Sequence, residues 1–335
     1  MKKLFSATAI ALALSAGAAL AADLPAIKAP PPPPLPPPPL WTGFYAGLNA
    51  GYSWGATNTI DVATVNVFDS FGPAGFLAPI VIDPRAGSAA LAASGTANAQ
   101  RNGFIGGGQV GYNYQFGNSF LVGLEVDLQG AGIRSENSFI GASSWNAFDI
   151  GPGLIRFDRA AASATTVTSR TDWLGTVRGR LGYIWGQSFL LYATGGLAYG
   201  GTQATTQQSL FLNNTLSILP PLLSISVPFG SIGGFARYNE SRIGWTVGGG
   251  LEWLFAPNLS LKAEYLYYDL GTARYLNGPL AAVGPQISVL GFTTPLLTSV
   301  NQGVTRVKFD GHVARIGINY HFFTAPPPAP VVARY

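Results

Sequence analysis

The sequence predicts an all-β fold: an eight-stranded antiparallel up-and-down transmembrane β-barrel with four long extracellular loops. Three observations carry this prediction. Large apolar residues or glycine recur at every second position over stretches of membrane height. Short turns and long segments alternate along the chain. In the clearest pair of strand candidates, charge is confined to the face opposite the apolar one.

The clearest case is Ser241–Leu270. Ile243, Trp245, Val247, Gly249, Leu251, Trp253 and Phe255 alternate with other residues up to the turn Ala256–Pro257–Asn258. Leu259, Leu261, Ala263, Tyr265 and Tyr267 then alternate with Ser260, Lys262, Glu264, Leu266 and Tyr268. A period of two with charge on one face suits a strand between lipid and an ion-paired interior.

At the N-terminus, Lys2 and Lys3 precede an apolar run from Leu4 to Ala18 and the small residues up to Ala21. This is the pattern of a secretory signal peptide spanning residues 1–21. Residues 22–40, dominated by Pro30–Pro34 and Pro36–Pro39, read as a polyproline linker reaching up to roughly 60 Å at about 3.1 Å per residue. The barrel itself is expected over 41–323, followed by a proline-rich tail, 324–335.

Within the barrel, the first strand is expected at Gly43–Trp54. The next two, Gly103–Gln115 and Ser119–Gly130, flank Gly117–Asn118. Thr171–Trp185 and Ser188–Gly201 flank Gly186–Gln187, the Ser241–Leu270 pair follows, and Arg306–Phe322 closes the set. Gly55–Asn102, Ala131–Arg170, Thr202–Glu240 and Gly271–Thr305 are the long segments. Long loops outside and short turns in the periplasm are the rule for such barrels, so both termini are expected in the periplasm.

Composition agrees. Charged residues are 10% and apolar residues 47% of the 335-residue chain, against about a quarter charged in soluble domains. No run of about twenty apolar residues follows the signal, which leaves strands as the spanning element. Without Lys2 and Lys3 there are 17 basic and 15 acidic residues, too even a balance for a nucleic-acid partner. There is no cysteine and hence no disulfide framework.

On the lipid-facing register, aromatics gather at two heights. One group is Phe44, Tyr114, Phe116, Phe120, Trp185, Phe189, Trp253, Phe255, Tyr320 and Phe322; the other is Tyr52, Trp54, Phe104, Trp173, Tyr199, Trp245, Tyr267 and Phe309. Phe44 and Trp54 are separated by roughly 25 Å at about 3.3 Å per residue and a tilt of about 40°. The opposite register holds Glu125, Asp127, Arg178, Arg180, Glu252, Lys262, Glu264 and Arg315. Four acids and four bases in hydrocarbon would be prohibitive. Inside a barrel just wide enough to be filled by side chains they can pair, which predicts an ionic core instead of an aqueous channel. A small-solute channel is the alternative.

Trp41–Gly47 and Gly51–Gly55, together with Ala22–Pro25 ahead of a proline-rich spacer, resemble the opening of the small outer-membrane surface antigens of alphaproteobacteria. These are the "porin family" or outer-membrane immunogenic proteins, with a barrel of the outer membrane protein A type. The resemblance covers all strand candidates and extends to the last, Val313–Phe322. It implies a Gram-negative outer-membrane location and an envelope-stabilising surface role. The implied partners are outer-membrane lipid, lipopolysaccharide and the barrel-assembly machinery, with peptidoglycan or self-association open. Some relatives are linked to haemin binding. The chain departs from the pattern in continuing beyond Phe322 and Phe323, so the assembly signal is either internal or supplied by Tyr335.

Catalytic constellations are sparse. Gly106, Gly108 and Gly111 match G-x-G-x-x-G but lie inside a strand with no following helix, so close strand packing is the reading. Of two histidines, alternation turns His312, with nearby Asp310, outward and His321 inward, and no serine completes a relay. No enzyme, cofactor or metal site is expected. For haemin, His312, Tyr238 or Tyr275 is the simplest axial ligand. The apolar stretches Leu219–Leu223 and Pro295–Leu297 would be costly in water as one patch; they can cap the barrel, extend its strands or contact another copy.

Overall fold

The computed structural model describes residues 41–71, 80–81, 87–117, 119–150, 155–219, 222–284, 286–289, 292–295 and 297–323. The expected signal peptide, linker and C-terminal tail lie outside the described residues, as do Asn118, Pro220, Pro221 and Leu296.

The chain is all-β and antiparallel. Its strands are β1 (Gly43–Gly55), β2 (Thr59–Phe71), β3 (Ile80–Val81), β4 (Gly95–Asn98), β5 (Asn102–Phe116), β6 (Phe120–Ile150) and β7 (Ile155–Trp185). There follow β8 (Phe189–Ile218), β9 (Leu223–Ala256), β10 (Leu259–Leu276), β11 (Leu280–Val283), β12 (Gln286–Val289), β13 (Phe292–Pro295) and β14 (Leu297–Phe323). One short helix, α1 (Gly87–Ala92), precedes β4. Pairing runs β1–β5–β6–β7–β8–β9–β10–β14, and β1 also pairs β14 from Gly43↔Phe323 to Gly55↔Gly311. The succession of pairings therefore returns to its starting strand.

Three of the expected long segments are largely strand. β6 and β7 each run 31 residues and stay paired from Phe120↔Tyr183 to Ile150↔Ile155; β8 and β9 stay paired to Ile218↔Leu223. Gly55–Asn102 contains β2, β3, α1 and β4, and Gly271–Thr305 contains β11 to β13 and the start of β14. The period of two continues through these segments. Ser163, Thr165, Val167 and Ser169 are buried on β7, as are Ala204, Thr206, Gln208 and Leu210 on β8. The outer face changes, to Gln203, Thr205, Gln207 and Ser209 on β8, so apolarity no longer marks the strand while β-branched residues still favour it.

Toward the end with the long connections the succession of pairings opens. β1–β5 pairing ends at Trp54↔Asn102 and β9–β10 pairing at Asp269↔Trp245. Beyond lie two sheets, β6–β9 on one side and β10–β14–β2 with β4 and β11 on the other. Ile60, Val62, Val167, Leu174, Leu266, Leu270, Val307 and Phe309 form a buried cluster. Farther along, Ala89, Ala92 and Ala93 pack with Ala161, Leu210, Leu212, Leu280 and Ala282. The carbonyls at the helix end are satisfied from the strands: Ser163 Oγ donates to Ala92 O at 2.5 Å, and Thr64 Oγ1 and Gln208 Nε2 each donate to Ala93 O at 3.1 Å. Arg159 pairs with Asp69 at 2.5 Å and donates to Asn214 Oδ1 at 2.9 Å, joining β7, β2 and β8.

Two lipid-face assignments need correction. Phe309 is 2% exposed and belongs to the interior cluster. β14 pairs without a break from Gly311 to Phe323, so odd-numbered Phe309 shares the face of Arg315, not that of Tyr320. Asp310 has outward parity but is 3% exposed. The segment after β1 covers it: Thr57 N and Oγ1 donate to its carboxylate at 3.1 and 2.6 Å, and Arg101 Nη2 at 3.3 Å.

Candidate functional site

The odd residues of β1, β6 and β14 face inward at this level of the sheet, as do the even residues of lower β7, β8, β9 and β10. This parity brings all eight charged residues of the expected interior set into one layer. Three acid–base pairs are direct cross-strand partners: Glu125↔Arg178, Lys262↔Glu252 and Glu264↔Arg315. Every ion pair among the eight has both side chains 0% exposed.

Each carboxylate meets several donors. Glu125 takes both oxygens to Lys262 Nζ at 3.0 Å, accepts from Tyr45 Oη at 2.6 Å and Arg180 Nη1 at 3.3 Å, and pairs with Arg178 Nη2. Asp127 accepts from Arg315 Nη2 at 2.8 Å, Thr176 Oγ1 at 2.9 Å and Arg178 Nη2 at 3.0 Å. Glu252 accepts from Arg180 Nη2 at 2.7 Å, Ser260 Oγ at 2.5 Å and Asn319 Nδ2 at 2.7 Å. Glu264 accepts from Arg315 Nε at 2.6 Å, Arg178 Nη1 at 2.9 Å and Tyr192 Oη at 2.9 Å. The Arg180 guanidinium also stacks over the Tyr192 ring, 4.0 Å from its centroid. Charges removed from water cost several kcal/mol each unless paired and hydrogen-bonded, and this layer meets that condition four times over.

Sequence reasoning missed the neutral members. Asn49 Nδ2 donates to Gln109 Oε1 at 2.8 Å, Gln109 Nε2 to Asn319 Oδ1 at 2.5 Å, and Asn319 onward to Glu252. Tyr45, Tyr192 and Ser260 join from the same inward register; His321, which the alternation turns inward, lies beside them with its Nε2 2.9 Å from Ser260 Oγ and 3.3 Å from Glu252 Oε1. Parity plus equal height would have found them. Tyr45 pairs across from Gly111, where any Cβ would strike the tyrosine ring, so part of the G-x-G-x-x-G run makes room for a network hydroxyl.

Apolar layers close the charged one on both sides. Trp41, Leu121, Ile184, Leu190 and Leu254 pack on the short-turn side, where Trp41 Nε1 donates to Gln187 O at 2.8 Å. The cluster around Phe309 and Leu270 lies on the other.

The other singled-out residues are occupied elsewhere. His312 stacks between Trp54 and Tyr265, with centroids at 5.7 and 5.8 Å, and its Nδ1 is 2.7 Å from Tyr265 Oη. Tyr238 and Tyr275 stack on each other at 5.5 Å on β9 and β10. Leu219 and Leu222, flanking the β8–β9 turn, are 47% and 76% exposed.

The chain is 28% identical to the 31 kDa outer-membrane immunogenic protein of Brucella melitensis biotype 1 over 84% of each chain. It is 27% identical to the 22 kDa outer membrane protein of Rhizobium leguminosarum bv. viciae, over 50% of this chain and 54% of that one. Among solved structures, the outer membrane protein OprG from Pseudomonas aeruginosa aligns with 84% of this chain and 97% of its own, at 12% identity and a TM-score of 0.30. A model of the outer membrane protein beta-barrel domain matches residues 8–322, and the chain belongs to that family.

Proposed function

We propose that the chain is an eight-stranded outer-membrane barrel with both termini in the periplasm and a filled lumen, serving a non-catalytic structural and surface role in the envelope. The succession of pairings through β1, β5 to β10 and β14 supports the strand count. The outward band of Phe44, Leu48, Leu181, Leu191, Leu197, Ile243 and Leu251, all at least 47% exposed, supports contact with hydrocarbon. The filled lumen rests on one observation above the rest: four acids and four bases, fully buried and mutually bonded, lie between two apolar layers. An ion crossing there would have to break charge-assisted hydrogen bonds worth about 1.5–3 kcal/mol each.

Recording from purified protein in planar bilayers tests this. Folded protein is expected to give no steady conductance; large, stable single-channel steps would assign the channel reading instead. For the envelope role, cells lacking the protein are expected to become more sensitive to detergent, and unchanged tolerance would count against it.

A further inference from the structure

Above the outward band, several charges on the outer face are matched. Arg156 pairs with Asp158 at 3.0 Å, Arg170 with Asp172 at 2.6 Å, and Lys308 with Asp269 and Asp310 at 3.2 and 3.3 Å. Arg274 and Arg306 differ. They are direct cross-strand partners on β10 and β14, both are exposed, and neither has an ion-pair or side-chain hydrogen-bond partner among the described residues. Like charges directly opposite on one face repel, and the fold gains nothing from setting two guanidiniums there. The nearest carboxylate in register, Asp61 on β2 opposite Arg306, forms no ion pair with it. In a second such pair, Arg134↔Arg170, Arg170 is held by Asp172 at 2.6 Å.

We infer that Arg274 and Arg306 form a clamp for a phosphorylated glycolipid head group of the outer leaflet. A phosphate between two planar forks turns their repulsion into paired, charge-assisted hydrogen bonds. The height fits a sugar-borne phosphate above the acyl chains: Arg306 stands six residues beyond His312, in the aromatic belt with Trp54 and Tyr267, or roughly 15 Å at about 3.3 Å per residue and a 40° tilt. Thr272 and Lys308 lie next below on the same face. The inference rests on the proposed orientation, with this end outside the cell.

The test measures binding of lipopolysaccharide micelles to the full chain folded in detergent. Wild type is expected to bind intact lipopolysaccharide and to lose most binding when its phosphates are removed chemically. R274Q/R306Q is expected to bind at least about tenfold more weakly while unfolding at the same or a higher temperature, since each charge-assisted bond is worth about a decade in affinity. R274K/R306K keeps the charge without the forks and should fall between. Equal binding by wild type and R274Q/R306Q, or indifference to dephosphorylation, would overturn the clamp. Inositol hexakisphosphate binding as tightly as lipopolysaccharide would overturn its lipid source. A wild type that conducts ions yet keeps the arginine-dependent binding would sink the filled lumen and leave the clamp standing.

Discussion

Strand β7 is two strands in chemistry. Below Trp173 its outer face is Val177, Gly179, Leu181 and Tyr183, and its inner face carries Thr176, Arg178 and Arg180. Above Trp173 the outer face turns to Arg170, Thr168 and Thr166, and the inner face to Thr171, Ser169, Val167 and Thr165, with Arg159 farther up paired to Asp69. Interior charge is dense where the outside is apolar; farther up, this strand keeps one buried ion pair and most of its charge moves to the outer face. In the proposed closed barrel, interior polarity follows from side chains that bind one another, not from solvent. In the lower part lipid on one side and side chains on the other leave a charge only another charge to bind, so the set must be complete. In the upper part water solvates the outer face and the interior can be an ordinary packed layer with an inserted helix.

This contrast can be broken most severely at Arg178. R178M leaves Glu125, Asp127 and Glu264 short of one cation and is expected to lower stability by about 3–5 kcal/mol, read as the urea midpoint of the heat-modifiable folded band. A loss below 1 kcal/mol would mean the layer is solvated. Next, L48R on the lower outer face is expected to cost about 2–4 kcal/mol in lipid vesicles. The same substitution on the upper outer face, Q207R, is expected to stay within about 0.5 kcal/mol. Equal costs at these two positions would refute the assignment of the apolar band. Y45F removes one hydroxyl that bridges Arg180 and Glu125 and is expected to cost about 1–2 kcal/mol. The smallest effect is expected in native-state hydrogen exchange, where amides of β8 between Gln207 and Thr215 should exchange before those between Leu190 and Ala198.

Alternation alone marked the paired lower strands, because lipid on one side forces the outer residues to be apolar. The eight charged residues were legible for the same reason. The upper halves of β6 to β9 were not, since Ser, Thr and Gln on a water-facing strand look like loop. Phe309 was assigned outward on residue type although its odd number sets it with Arg315; composition misled where counting would not. Asp310 was beyond counting, because the segment carrying Thr57 and Arg101 folds over it. The neutral partners of the ionic layer were hidden by distance in the chain: Asn49, Gln109 and Asn319 come from three strands and meet only when β1 joins both β5 and β14.

Gly271 carries a consequence of another kind. It sits at φ 78° where β10 holds one residue more than β14 between Asp269↔Asp310 and Thr272↔Lys308. Before it, even-numbered residues of β10 face inward; after it, Ala273 and Tyr275 do. One left-handed glycine thus acts as a phase shifter that reverses the meaning of odd and even along a single strand. Without that half-period, Arg274 would point into the apolar interior and Tyr275 would be on the outside. The outer surface beyond this point can therefore be re-dealt by inserting or deleting single residues here, while the pattern of the lower strand stays untouched.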